Sequence, residues 1–269
     1  MNKLLLTILT FSTLLLAQND VPSCYDALKI EKKNSLDTEL FILIDQTTII
    51  DKKMMKYTYK NMMNFMKNGN KVTIASFSSN SGGKYTDVVY SGELEHLMSK
   101  KESYDVSKKL LRKYDSCMKG QLKYAKKKAK KALIGVLKGA SKQMPHSDII
   151  KSLTNISKDM ITASSAKEKI VLLVSDMLEH SSITTFYKQG RIKHINVQKE
   201  FDKINRSQYI SDFDGAKIYV IGTGILPKHG YRDAKTLKNL TDFWKHYFKG
   251  TNGDLQEIGT PMLLKDLEQ

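Results

Sequence analysis

The sequence predicts an α/β fold: a doubly wound, mostly parallel sheet with helices on both faces and a long basic helical insertion. Three observations carry this. Short apolar runs such as Glu39–Asp45, Lys169–Asp176 and Ala216–Gly222 have the form of strands buried on both faces. Segments with apolar residues at a spacing of three to four separate them. Alternation of the two types builds an open sheet covered on both sides. The chain shows no internal repeat and no flexible interdomain linker, so residues 18–269 are expected to form one domain.

The elements follow in order. Glu39–Asp45 is the first strand and ends in an acid. Met54, Met55, Tyr59, Met62, Met63 and Met66 then recur at helical spacing, and Gly69-Asn70 ends that helix. Lys71–Phe77 is the second strand. Ser78–Lys84 is a Ser- and Gly-rich loop, and Asp87–Tyr90 a short third strand. Residues 103–143 form the helical insertion: Val106, Leu110, Tyr114, Cys117, Ala125, Ala129, Leu133, Val136 and Ala140 mark its apolar stripe. Gly120, Gly135 and Gly139 are candidate breaks, and Met144-Pro145 stops it. A further helix spans Ile149–Ile161 with Ser147 as its N-cap. The next strand is Ile170–Val174, with Asp176 after it. Residues 177–215 are polar and irregular, with one helix near Val197–Asn205. Ala216–Gly222 is a strand. Leu237, Leu240, Phe243, Trp244, Tyr247 and Phe248 line a last helix ended by Gly250, and Leu255–Ile258 adds an edge strand.

Composition narrows the class. Among 269 residues, 44 Lys and Arg against 28 Asp and Glu give a net charge of +16, with 41% hydrophobic residues and four Pro. This suits a folded domain and excludes a disordered, collagenous or disulfide-framework chain. Met1–Lys3 followed by the uncharged run Leu4–Ala17 has the form of an export signal, 1–17, cleaved near Ala17. The run is short for a membrane span, so an uncleaved inner-membrane anchor is the alternative. Lys-, Asn- and Ile-rich usage suggests an AT-rich bacterial genome, hence the periplasm. In an oxidising compartment, Cys24 and Cys117 are expected to pair as a disulfide rather than to remain two free thiols.

In doubly wound folds, functional groups sit at the carboxyl ends of strands, where Asp45 and Asp176 lie. The order Asp45-Gln46-Thr47-Thr48-Ile49, then His146-Ser147-Asp148-Ile149-Ile150, then Leu173-Val174-Ser175-Asp176-Met177 resembles the von Willebrand factor A domain. That family holds a divalent cation with D-x-S-x-S after the first strand, a Thr before a middle helix and an Asp after the fourth strand. The resemblance covers about residues 38–260, leaving out the basic insertion and the 181–212 loop. It implies a metal site of Asp45, Thr47, Ser147 and Asp176, with Mg²⁺ or Mn²⁺ as the ion. Ile49 departs from the pattern, since it stands where the family has its second Ser. Water or a partner's carboxylate would then complete the coordination. Thr48 is not expected to substitute for that hydroxyl, because neighbouring residues point apart. Purely structural aspartates are the alternative.

Enzymatic readings are poorly supported. A phosphatase of the haloacid dehalogenase type would use Asp45 as nucleophile, with Thr73 or Ser76 holding phosphate, but Thr47 stands where its proton donor should be. G-x-S-x-G, HExxH, P-loop and GxGxxG motifs are absent from the sequence. The expected function is a non-enzymatic exported module that binds a protein partner in the cell envelope through the strand-end rim, with no small-molecule substrate. The rival uses the lysine surface of Lys126, Lys127, Lys128, Lys130 and Lys131 to bind anionic lipid or another polyanion, as part of a secretion or conjugation machine.

Overall fold

The computed structural model describes residues 19–32, 34–78, 86–140, 147–189, 191–226, 230–260 and 262–267. The expected export signal 1–17, the loop 79–84, the stop at Met144-Pro145 and His146 lie outside the described residues.

After α1 (Cys24–Leu28) the chain runs β1 (Thr38–Asp45), α2 (Lys52–Phe65), β2 (Asn70–Phe77), β3 (Thr86–Glu93), α3 (Lys100–Tyr104) and α4 (Lys108–Gly139). It continues through α5 (Ile149–Ile156) and a π-helical turn Ser157–Ile161, then β4 (Glu168–Val174), β5 (Tyr187–Lys188), β6 (Arg191–Ile192) and α6 (Val197–Arg206). Last come β7 (Lys217–Ile221), β8 (Ile225–Leu226), β9 (Gly230–Tyr231), α7 (Ala234–Gly250) and β10 (Asp254–Ile258). Six strands form one sheet in the order β10-β7-β4-β1-β2-β3. All neighbours are parallel except β2 and β3. β5–β6 and β8–β9 are two small hairpins outside it.

β1 shows why both faces are covered. Leu40, Ile42 and Ile44 enter the core beneath α2 and α4, while Phe41 and Leu43 enter the core beneath α5, α6 and α7. The two-residue period of a strand sends alternate side chains to opposite faces, so an uninterrupted apolar run fills both cores.

On the first face, α2 presents Met54, Met62 and Phe65, and Asp51 caps it by accepting from the Met54 N–H at 2.8 Å. α4 lies beside it with Ala125, Ala129, Leu133, Val136 and Leu137 in the same core. The stretch read as an insertion is therefore part of the layer that covers β1, β2 and β3. It forms two helices rather than one, and α4 runs unbroken through Gly120 and Gly135. Both glycines face open space, so each costs propensity without creating a bend. β3 is longer than the expected Asp87–Tyr90 because backbone pairing with β2 extends through Ser91, Gly92 and Glu93, residues with little apolar signal. The N-terminal segment covers its outer edge: Asp20 N–H donates to the Ser91 carbonyl, and Ser91 N–H donates to Asp20 Oδ2, both at 2.7 Å. Cys24 and Cys117 form the expected disulfide, with Cα atoms 5.9 Å apart, joining α1 to the middle of α4.

The second face buries Phe243, Trp244, Tyr247 and Phe248 of α7 together with Ile149, Ile150, Leu153 and Ile156 of α5. The 177–215 segment, polar in composition, still contributes Met177, Leu178, Phe186, Ile195, Phe201, Ile204 and Phe213 to this core. Ser147 does not cap α5. Asp148 holds the cap position without a side-chain bond, and the Ile150 N–H is met by Glu179 Oε2 at 3.1 Å.

Candidate functional site at the strand-end rim

From β1 the chain moves outward through β2 and β3, then returns to place β4 on the other side of β1. The carboxyl ends of β1 and β4 thus flank the point where the winding reverses, the place where such sheets leave a crevice. Asp45 is the last residue of β1, and Asp176 follows β4 by two positions.

Asp45 is fully buried and accepts five hydrogen bonds. Its Oδ1 receives the Thr47 N–H at 2.9 Å and the Thr47 hydroxyl at 2.6 Å. Its Oδ2 receives hydroxyls from Ser175 at 2.7 Å and from Thr48 and Ser147 at 3.2 Å each. Ser147 therefore serves the rim, and Glu179 has taken over its expected capping duty. Thr48 corrects the sequence reading. The chain after Asp45 turns, with the Thr48 N–H donating to the Asp45 carbonyl at 3.2 Å. Neighbouring side chains in a turn need not diverge as they do in a strand. Thr47 and Thr48 both reach Asp45, and Ile49 points outward, 39% exposed.

Asp176 joins this cluster indirectly. Its N–H donates to Thr48 Oγ1 at 3.0 Å, and its half-buried carboxylate accepts from the Leu178 N–H at 3.0 Å. Burial pushes its carboxyl up to about 7, and the nearby charge of Asp45 adds to the rise. Burial also raises Asp45, opposed by its hydroxyl and N–H donors.

Sequence reasoning missed several rim groups. Ser175 holds Asp45 and also accepts from the Met177 N–H at 3.0 Å. Met177 adopts φ 62°, a left-handed conformation unusual for its side chain, and its carbonyl accepts from Trp244 Nε1 at 2.8 Å. The Arg232 guanidinium counteracts the rise at Asp176, and Arg232 Nε is buried without a partner. Tyr187 is pushed up to about 12 by burial, next by the charge of Asp176. Thr223 Oγ1, in the glycine turn whose Gly224 N–H bonds the Asp176 carbonyl at 3.0 Å, is also buried and unpartnered. Strand-end position could have flagged Ser175, but nothing local in the sequence ties Arg232 or Thr223 to Asp176.

The donor set is hard oxygen: a carboxylate and two hydroxyls on Asp45, Thr47 and Ser147, with a second carboxylate nearby. Such oxygens match Mg²⁺ or Mn²⁺ rather than softer metals. Among the described residues, no group of three or more His, Cys, Asp or Glu side chains is placed to hold a metal. Of the two phosphate-holding candidates in the phosphatase alternative, Ser76 lies opposite Ile44, next to Asp45, whereas Thr73 is set back and occupied. Thr73 lies opposite Phe41, four positions before Asp45, and its hydroxyl is committed to Glu39 at 2.6 Å.

No family model matches the chain, and no curated protein does. Solved structures that resemble it include the pilus adhesin SpaC from Lactobacillus rhamnosus GG, at 10% identity and TM-score 0.43, over 86% of this chain and 29% of that one. They also include the conserved hypothetical protein BatB from Bacteroides thetaiotaomicron, at 11% identity and TM-score 0.38, over 77% of this chain and 87% of that one. A third is the vWF domain of the type V pili tip protein Mfa5 from Porphyromonas gingivalis, at 10% identity and TM-score 0.29, over 76% and 65%. This chain spans less than a third of the SpaC chain. Likenesses of this size carry no functional weight; the fold class rests on strand order, register and the two covered faces.

Proposed function

We propose that this protein is a non-enzymatic, exported binding module of von Willebrand factor A-like design. It engages a protein partner in the cell envelope through the rim at the carboxyl ends of β1 and β4. One observation carries the reading: hydroxyls from three separate segments, Thr47 and Thr48, Ser147, and Ser175, converge on Asp45 at the switch point of the sheet.

In this reading Asp45, Thr47 and Ser147 supply oxygens to a hydrated Mg²⁺ or Mn²⁺, with the hydroxyl hydrogens turned away from the ion. Asp176 balances its charge from one step further out. The ion supplies a positive centre to which a partner's carboxylate can bind. Ile49 leaves the protein one oxygen short, so a partner carboxylate completes the shell, and affinity for the free ion is weak. At Asp176 the charge of Asp45 adds to the rise that burial causes, and a cation between the two would offset that repulsion.

Calorimetric titration with Mg²⁺ and Mn²⁺ tests the proposal. Heat of binding in the millimolar range or below is expected, abolished by Asp45→Ala and weakened by Ser147→Ala. Absence of heat from the wild-type protein at millimolar ion would leave the rim hydroxyls a structural network and reject the metal-assisted reading.

A further inference from the structure

The net positive charge of this protein lies in two helices of one face. α4 contains twelve Lys or Arg and one acid, Asp115, while α2 contains four Lys and no acid. Together they carry +15. Lys3 is the sole charged residue before Gln18, so residues 18–269 also total +15. Everything outside these two helices therefore nets to zero. Both helices cover the same side of the sheet, and Lys130 of α4 reaches the ring of Tyr59 on α2, with Nζ 5.6 Å from its centroid. Lys119, Lys123, Lys127, Lys128, Lys130, Lys131 and Lys138 are exposed. Among the described residues, none of the α4 cations forms an ion pair, while Lys60 of α2 pairs with Asp266.

We propose that the α2–α4 face docks onto an anionic phospholipid surface, a role separate from that of the rim. The chemistry of the face points to lipid. Fifteen of its sixteen cations are lysines, compact charges suited to a diffuse headgroup layer, whereas Arg112 is its single residue able to grip one phosphate bidentately. Exposed aromatic surface on α4 is limited to Tyr124, over which Lys128 already sits at 5.5 Å, so stacking platforms for bases are missing. α4 is about 48 Å long, and α2 lies against its flank. Their lysines spread over an area instead of lining a groove that would follow a strand of nucleic acid. The start of the described chain sits at the same face. Asp20 pairs with Ser91 on β3, and the Pro22 carbonyl accepts from Gln121 of α4 at 2.9 Å.

Co-sedimentation of the exported protein with phosphatidylcholine vesicles, with and without roughly a third phosphatidylglycerol, tests this. Partitioning about tenfold or more stronger on the anionic vesicles is expected, falling steeply as salt is raised. The triple variant Lys123→Glu, Lys127→Glu, Lys131→Glu alters one exposed stripe of α4 and should lose that preference. A variant of equal charge on the opposite face, Lys199→Glu, Lys235→Glu, Lys245→Glu, should keep most of it. Far-UV circular dichroism verifies that both fold, and the salt series on the wild-type protein decides if either does not. Equal binding to neutral and anionic vesicles, or equal loss in both variants, overturns the proposal. So does displacement from the vesicles by an oligonucleotide at low stoichiometry, which would assign the face to nucleic acid.

Discussion

Glu179 is fully buried at the start of α5, where Oε2 accepts the Ile150 N–H and Oε1 has no partner. Burial pushes its carboxyl up to about 8. Between the ordinary value near 4.5 and about 8, the folded state holds a proton that the unfolded chain has released. Stability therefore falls as pH rises through that window and levels off above it. Glu200 acts in the opposite sense. Burial raises its carboxyl, but bonds from Lys193, Lys203 and Thr184 outweigh this and lower it to about 2. Its contribution is present above pH 4.5 and is lost as pH falls toward 2. Melting temperature should thus peak near pH 5 and decline toward pH 8, by an amount equivalent to a few kcal/mol at most. Glu179→Gln should flatten the decline between pH 5 and 8, as read by thermal melts across that range. An unchanged slope in the variant would assign the pH dependence to other groups. Glu179 was illegible in the sequence, where Ser147 looked like the cap. Asp45 and Asp176 were legible because a strand-end acid needs only a local run to identify it, whereas Glu179 acquires its task through a contact made after folding. The expectation that the Thr47 and Thr48 side chains point apart failed because strand geometry was carried one turn too far.

At the scale of elements, α4 is held in three ways. Its apolar stripe packs into the core, Ser107 caps its start, and the Cys24–Cys117 bridge ties its middle to α1. The bridge spans 93 positions, and the loop-entropy relation assigns about 4–5 kcal/mol to closing a loop of that size in the unfolded chain. The double variant Cys24→Ser, Cys117→Ser should lower the urea midpoint by a corresponding amount. A drop well below 1 kcal/mol would mean that the unfolded chain is already compact near these residues. Gly120 and Gly135 offer a test of opposite sign. Each is helical, with no atom near where a Cβ would stand. Gly120→Ala and Gly135→Ala should each add about 0.5–1 kcal/mol, measured by the same denaturation. The helical period of α4 was readable because its buried positions recur every three to four residues. Its role as a sheet-covering layer was not, since a lysine-rich exterior resembles an appendage until α4 is seen sharing a core with Leu40, Ile42 and Val72.

For the molecule as a whole, the central question is whether the two cores behave as one unit. They lie on opposite faces of the sheet and share no side chains, yet every residue of β1 from Leu40 to Ile44 feeds one or the other. β1 sits in the interior of the sheet, parallel to both β2 and β4. Losing either core removes the packing on one side of the same hydrogen-bonded strand, and β1 cannot leave without releasing both neighbours. Ile42→Ala opens a cavity beneath α2 and α4, and Leu43→Ala opens one beneath α5 and α7. Each should cost about 2–5 kcal/mol. If the sheet couples the cores, both variants shift a single unfolding transition, with the same midpoint whether followed by far-UV dichroism or by the fluorescence of Trp244, which lies in the second core. The Ile42→Ala variant is the sharper of the two, because its cavity is across the sheet from Trp244. Uncoupled cores would let the dichroism change first while the tryptophan signal held its wild-type midpoint. Coincident transitions in that variant, displaced together to lower denaturant, are the expected result.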